Sequence, residues 1–170
     1  SERLAGAPLD IRTRSIINAA GPWADGFPQS SLKLHLTKGV HLVIDRARLP
    51  VEAAVVMSEG RRILFAIPWG ERIILGTTDT NYAGPLDAPR VEPADVRYIL
   101  NITNTAFPEA RLTHDDVIGQ WAGIRPLVGG GRRNSPSDIS RGHLVRIGRE
   151  GWIDVAGGKL TTYRLIAEEA

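Results

Sequence analysis

The chain has 170 residues, 42% hydrophobic and 24% charged, enough for one globular domain, or for one domain with fragments of another. With 21 Lys and Arg against 19 Asp and Glu the net charge is +2, too small to point to nucleic acid, and the absence of cysteine excludes disulfide, zinc–thiolate and iron–sulfur sites. The longest apolar run, residues 63–69, contains Pro68 and falls far short of the ~20 residues that span a bilayer, so any membrane contact is expected to be peripheral.

Residues 11–19 carry a short β-branched run ending in Ala20-Gly21-Pro22, the pattern of a strand entering a turn. Leu32, Leu34 and Leu36 alternate with Lys33, His35 and Thr37, and Val40, Leu42 and Ile44 repeat the alternation after Gly39. Two half-buried strands are predicted there. Residues 62–67 and 72–77 flank Pro68-Trp69-Gly70-Glu71 as the arms of a hairpin. The period then changes. Val96, Ile99, Leu100, Thr103 and Phe107 fall on one face of a helix over 92–107. Pro93 suits its first position, Asp95 the positive end of its dipole, and Pro108 stops it. Residues 117–122 read as a strand ending at Gly123, and 128–140 as a loop rich in Gly, Arg and Ser. Residues 143–147 and 152–155 form a second predicted hairpin. Residues 161–170 read as a helix with no terminating signal. Met57 is the sole methionine, and Ser1-Glu2-Arg3 opens the chain with no apolar run behind it, so an excised internal piece without a leader is expected. Mostly strands with one long helix, the chain is predicted to be α+β with a mixed, largely antiparallel sheet.

Three stretches could carry chemistry. In Asp154-Val-Ala-Gly157-Gly158-Lys159-Leu160-Thr161-Thr162 a strand runs into paired glycines and a helix start. Paired glycines permit close backbone approach to a ligand, the free N–H groups of a helix start favour negative charge, and Thr161 or Thr162 can cap it. The same pattern also suits an ordinary strand-to-helix turn. A Walker loop is excluded, because Leu160 follows Gly158-Lys159. In Trp121-Ala-Gly-Ile-Arg125-Pro126-Leu127 the proline holds Arg125 extended, which suits a guanidinium that grips carboxylate or phosphate, or one paired with a structural Asp or Glu. His41, in Lys38-Gly39-Val40-His41, sits on an alternating strand, where a histidine is structural more often than catalytic. No metal site is expected, since His35, His41, His114 and His143 lack ligand spacing. Gly129-Gly130-Gly131 does not complete a dinucleotide fingerprint. Asp115-Asp116 reads as a solvated pair. Arg132, Arg133, Arg141, Arg146 and Arg149 lack interleaved aromatics and read as a solvated loop or small anion site rather than a nucleic-acid surface.

Taken in order, these stretches resemble a known family. Ile16-Ile17-Asn18-Ala19-Ala20-Gly21-Pro22-Trp23-Ala24-Asp25 is similar to a segment of the glutathione-reductase-type flavin domain. Lys38-Gly39-Val40-His41, Ile67-Pro68-Trp69-Gly70, residues 74–80, Gly123-Ile124-Arg125-Pro126-Leu127 and residues 157–164 resemble the FAD-dependent glycerol-3-phosphate dehydrogenases, within the D-amino-acid-oxidase-like flavoproteins. The resemblance implies an internal fragment of an enzyme that oxidises sn-glycerol 3-phosphate to dihydroxyacetone phosphate. FAD is the implied cofactor, a quinone the electron acceptor, and the location cytoplasmic or peripheral on the cytoplasmic face of the membrane. It implies that residues 1–30 and 151–170 belong to the FAD-binding domain and 31–150 to a substrate-binding cap. Arg125, Lys159 and His41 would line the substrate pocket, Gly157, Gly158, Leu160 and Thr161 would contact the flavin, and Ala20 and Gly21 would lie near its other parts. Because the Gly-x-Gly-x-x-Gly turn that grips FAD pyrophosphate does not occur in this sequence, the isolated chain is expected to be inactive and to bind FAD weakly. The alternatives are another amino- or hydroxy-acid-oxidising flavoprotein, or a non-catalytic module with the cap fold.

Overall fold

In chain order the strands are β1 (Ile16–Asn18), β2 (Leu34–Asp45), β3 (Val55–Glu59), β4 (Arg62–Trp69), β5 (Arg72–Gly76), β6 (Thr80–Asn81), β7 (Val117–Val128), β8 (His143–Ile147) and β9 (Trp152–Gly157). The helices are α1 (Pro93–Ala106) and α2 (Tyr163–Glu169). This computed structural model describes residues 10–60, 62–129 and 142–170. Gly130, Gly131, Arg132, Arg133 and Arg141 of the loop considered above lie outside the described residues.

The larger sheet is antiparallel throughout. β3, β4, β5 and β2 are neighbours in that order, with the short β6 beside the start of β2 and β7 along the other side of β2. The pleat of β2 divides its residues between two faces. Val40, Leu42 and Ile44 are fully buried on one face, together with Leu64 and Ala66 of β4 and Ile73 and Leu75 of β5. α1 covers that face with Val96, Ile99, Leu100 and Ile102. Truncating a fully buried aliphatic such as Ile99 to Ala would cost about 2–5 kcal/mol. α1 begins where expected: the Glu92 N–H donates to Asp95 Oδ2 at 2.9 Å, closing the first turn on a carboxylate. Lys38, on the same face of β2, donates from Nζ to Asp95 Oδ2 at 2.7 Å and to the Arg90 carbonyl at 3.2 Å. It therefore anchors the helix start to the sheet.

The smaller sheet has β9 in its centre, parallel to β1 and antiparallel to β8. A mixed sheet thus accompanies an antiparallel one, in an α+β arrangement with few helices. Ala24, Leu32 and Ala156 form a second core, with Leu34 and Val128 packed against it, so the seam between the sheets is apolar. Asp154 ties the seam together. Its carboxylate accepts from Trp152 Nε1 and Asn18 Nδ2, each at 2.8 Å, and from the Ser31 N–H at 3.0 Å.

Several sequence expectations need correction. The two strands expected on either side of Gly39 are one 12-residue strand, β2. The strand expected to end at Gly123 runs on to Val128, because it pairs with β2 along its length. Pro126 is accommodated in β7 opposite Leu36. The last helix begins at Tyr163, after a tight turn over Leu160–Thr162, and no threonine side chain caps it. Thr162 Oγ1 instead donates to the Lys159 carbonyl at 3.0 Å. Asp116 is no solvated partner of Asp115: it accepts from Arg48 Nε at 2.5 Å and from the Thr113 N–H at 2.7 Å. The Arg48 bond, followed by that of Thr113, lowers its pKa to about 2.

Candidate active site

Where the end of β7 meets the end of β9, residues 124–127 face Gly157, Gly158 and Lys159 across a cleft of about 380 Å³. The structure therefore brings Arg125 and Lys159, singled out separately in the sequence, into the lining of one cleft. Arg125 is held from the side of β2 opposite α1. Its Nη2 donates to Thr77 Oγ1 at 2.9 Å and its Nη1 to the Thr78 carbonyl at 3.2 Å. Asp79 Oδ1 lies 3.5 Å from Nη1. Both readings of Arg125 thus meet in one side chain, which has an acidic partner and also lines a cleft. The three residues after β5 were not singled out for this role. Their signal, two hydroxyls followed by a carboxylate, is chemically apt for a guanidinium, but the partner lies 47 residues away in sequence.

Gly157 and Gly158 have φ of +72° and +84°, a backbone that side chains rarely adopt. The space around them is taken by the protein itself. A Cβ on Gly157 would lie 2.5 Å from the Gly142 carbonyl oxygen, and one on Gly158 would lie 2.6 Å from Ile166 Cδ1. The Gly158 N–H donates to the Gly142 carbonyl at 3.2 Å. The pair is thus explained first by a left-handed turn packed on β8 and α2. On the other side of this turn lies an apolar hollow of about 560 Å³, lined by Ile17, Ala19, Val155, Leu160, Tyr163 and Ile166 among others. Leu160 and Tyr163 are largely exposed beside it, a surface suited to a flat aromatic ligand. Ala19 rather than Ala20 lines this hollow; Ala20 packs on the Ala24 core, and Gly21 (φ +60°) opens the turn after β1 in open space. Thr161 sits in the turn between Lys159 and α2.

His41 is not in the lining of the Arg125–Lys159 cleft. It lies further along β2, on the same face as Gly39, with its ring stacked on Trp121 at 5.0 Å and 15°. Gly76 is opposite His41 in register, and a Cβ there would lie 2.5 Å from His41 Cδ2. Burial, and then the positive charge of Arg125, lower the pKa of His41 from its ordinary value. The ring is therefore neutral at neutral pH, and its Nδ1 has no hydrogen-bond partner among the described residues.

The description FAD dependent oxidoreductase defines a family that matches residues 3–164 of this chain. The chain belongs to that family. Among its FAD dependent oxidoreductase relatives, the aerobic glycerol-3-phosphate dehydrogenase of Staphylococcus aureus (strain USA300) is 37% identical over 175 residues, covering 99% of this chain and 31% of the relative. The glycerol-3-phosphate dehydrogenase of Bacillus halodurans, solved in complex with FAD, superimposes with a TM-score of 0.77 at 40% identity, over 91% of this chain and 30% of that one. An iminodiacetate oxidase from Chelativorans sp. BNC1 shares the fold at 17% identity and a TM-score of 0.64, over 92% of this chain and 40% of that one. The likeness to glycerol-3-phosphate dehydrogenases that the motifs indicated extends along the chain. The chain spans about a third of the length of the curated relatives it matches.

Proposed function

We propose that the protein carrying this chain is an FAD-dependent glycerol-3-phosphate dehydrogenase that produces dihydroxyacetone phosphate and passes electrons to a quinone. The observation that carries the reading is the convergence of Arg125 and Lys159 on one cleft, in a chain whose relatives at 37% and 40% identity bear that name. Residues 31–150 are assigned to the substrate-binding cap, and 1–30 and 151–170 to the FAD-binding domain, except that β8, which pairs with β9, belongs to the latter's sheet. The apolar hollow beside the Gly157-Gly158 turn fits an isoalloxazine edge, with Gly157, Gly158 and Leu160 in its lining and Thr161 in the adjoining turn; Ala20 and Gly21 are assigned to other parts of the cofactor. When bound, FAD supplies the acceptor for the hydride that leaves C2 of the substrate.

The protein's own groups then have separable tasks. The Arg125 guanidinium stays protonated, so it binds substrate oxygens and steadies negative charge developing on the C2 oxygen. Lys159, across the cleft, holds the phosphate or the same oxygen. His41 lies outside the lining of the Arg125–Lys159 cleft; kept neutral by burial and by Arg125, it is the proposed acceptor of the C2 hydroxyl proton for a substrate that extends along β2 beyond that lining. The full-length protein is proposed to be cytoplasmic or peripheral on the cytoplasmic face of the membrane; no helix of the described residues is long and apolar enough to cross a bilayer.

The test is a substrate panel on the full-length protein with FAD and a soluble quinone analogue. sn-Glycerol 3-phosphate is expected to be oxidised, and glycerol, glycine and sarcosine not; preferential oxidation of an amino acid would overturn the reading. Arg125→Ala and Lys159→Ala should each lower kcat/KM about 100-fold, and near-normal kinetics in either variant would remove that residue from the site.

A further inference from the structure

The glycines of the larger sheet do not share one reason for being glycine. At Gly76 an added Cβ would lie 2.9 Å from the Val40 carbonyl oxygen, a backbone atom that the sheet fixes. Gly39 differs. It sits inside β2 with φ outside the left-handed region, opposite Gly123, whose own Cβ position is empty to 4 Å. The nearest atoms to a Cβ on Gly39 all belong to the end of the Arg125 side chain: Nη2 at 2.2 Å, Nη1 at 2.4 Å and Cζ at 2.5 Å. The guanidinium lies directly on the Gly39 backbone, with Thr77 Oγ1, the Thr78 carbonyl and Asp79 bounding its rim. A side chain at position 39 is compatible with the strand but not with the guanidinium where it now rests.

We propose that Gly39 is a positioning residue: its missing side chain is the seat that fixes the Arg125 guanidinium at the cleft shared with Lys159. The inference rests on the functional reading of Arg125 given above. Because the displaced atoms are the free end of a flexible side chain, an Ala at 39 is accommodated by swinging Arg125 off its seat. The fold tolerates that change; the alignment of guanidinium and substrate does not.

The experiment is a double-mutant cycle in the full-length protein with FAD: wild type, Gly39→Ala, Arg125→Ala and the double variant, assayed with sn-glycerol 3-phosphate and melted in parallel. Gly39→Ala should lower kcat/KM at least about tenfold, the scale of one misaligned charge-assisted contact, with Tm unchanged. The double variant should be no slower than Arg125→Ala alone, because Gly39 acts only through that side chain. Unchanged kinetics in Gly39→Ala, additive losses in the double variant, or a large fall in Tm would each overturn the proposal. If wild type ignores glycerol 3-phosphate and oxidises a different hydroxy or amino acid, the functional reading fails, and the same cycle run on that substrate still decides the role of Gly39.

Discussion

Asp154 shows how a single residue can join distant parts of a chain. It is 1% exposed, yet its carboxylate collects donors from β1, from the Ser31 segment and from its own strand. Burial pushes its pKa up, but the hydrogen bonds, the Ser31 N–H foremost, outweigh burial and hold it below the ordinary value of 3.8. Asp154→Ala would strand the buried donors Trp152 Nε1 and Asn18 Nδ2, and should cost about 3 kcal/mol or more in urea unfolding. Because the folded pKa is depressed, the stability Asp154 contributes is present above pH 3.8 and is lost as pH falls below that value. Asp116 behaves alike, with its loss falling between 3.8 and about 2. Stability measured between pH 5 and pH 2 should therefore fall less steeply in Asp116→Asn than in wild type. The opposite chemistry operates at His41. A depressed histidine pKa keeps the proposed base neutral, so the acid limb of kcat/KM against pH should lie below 6.5 and should vanish in His41→Gln. A limb that stays in place in that variant would assign the proton to another group.

At the scale of elements, the turn after β9 and the strand pair β2–β7 carry the site, and their glycines predict opposite outcomes. Gly157→Ala would put a Cβ against the Gly142 carbonyl at a φ of +72° and should destabilise the chain by roughly 1–3 kcal/mol in thermal melts. Gly123→Ala meets nothing within 4 Å and should be close to neutral. The same glycines explain what the sequence concealed. Gly39 and Gly123 read locally as strand breaks, so β2 was divided and β7 cut short, although the two glycines face each other in an unbroken ladder. A glycine's purpose here depends on a guanidinium from a neighbouring strand, which no local window contains. α1 was legible because its apolar face recurs within a few residues and its proline and acidic start are local. β3 and β6 went unread, since a strand as short as Thr80–Asn81 exists only through its partner. Of the site, the Gly157-Gly158-Lys159 and Arg125 motifs stood out because each is a compact cluster of unusual residues. The contacts from Thr77, Thr78 and Asp79 that hold Arg125 did not, because they form only once β2, β5 and β7 are assembled.

On the scale of the whole molecule, the two faces of the larger sheet are unlike. α1 covers one. On the other, the register aligns Val56, Phe65, Gly76, His41 and Trp121 in one row across the strands, and Val56, Phe65 and Trp121 are all exposed, as is Trp69 further along β4 on the same face. Arg125 emerges on this face too, beside the seam where the small sheet presents its Gly157-Gly158 turn and open apolar hollow. The contacts proposed for the ring end of a flavin thus lie at the seam, whereas the Gly-x-Gly-x-x-Gly turn that would grip the pyrophosphate is absent from these 170 residues. Ring stacking without the phosphate cradle leaves most of a dinucleotide's charge and length unbound. The 170-residue chain should therefore purify colourless and bind FAD at least about 100-fold more weakly than the full-length protein in a fluorescence-quenching titration. Stoichiometric yellow flavin in the purified chain would mean that the seam alone supplies the affinity, and would move the cofactor's principal anchor from the dinucleotide turn to the junction of β7 and β9.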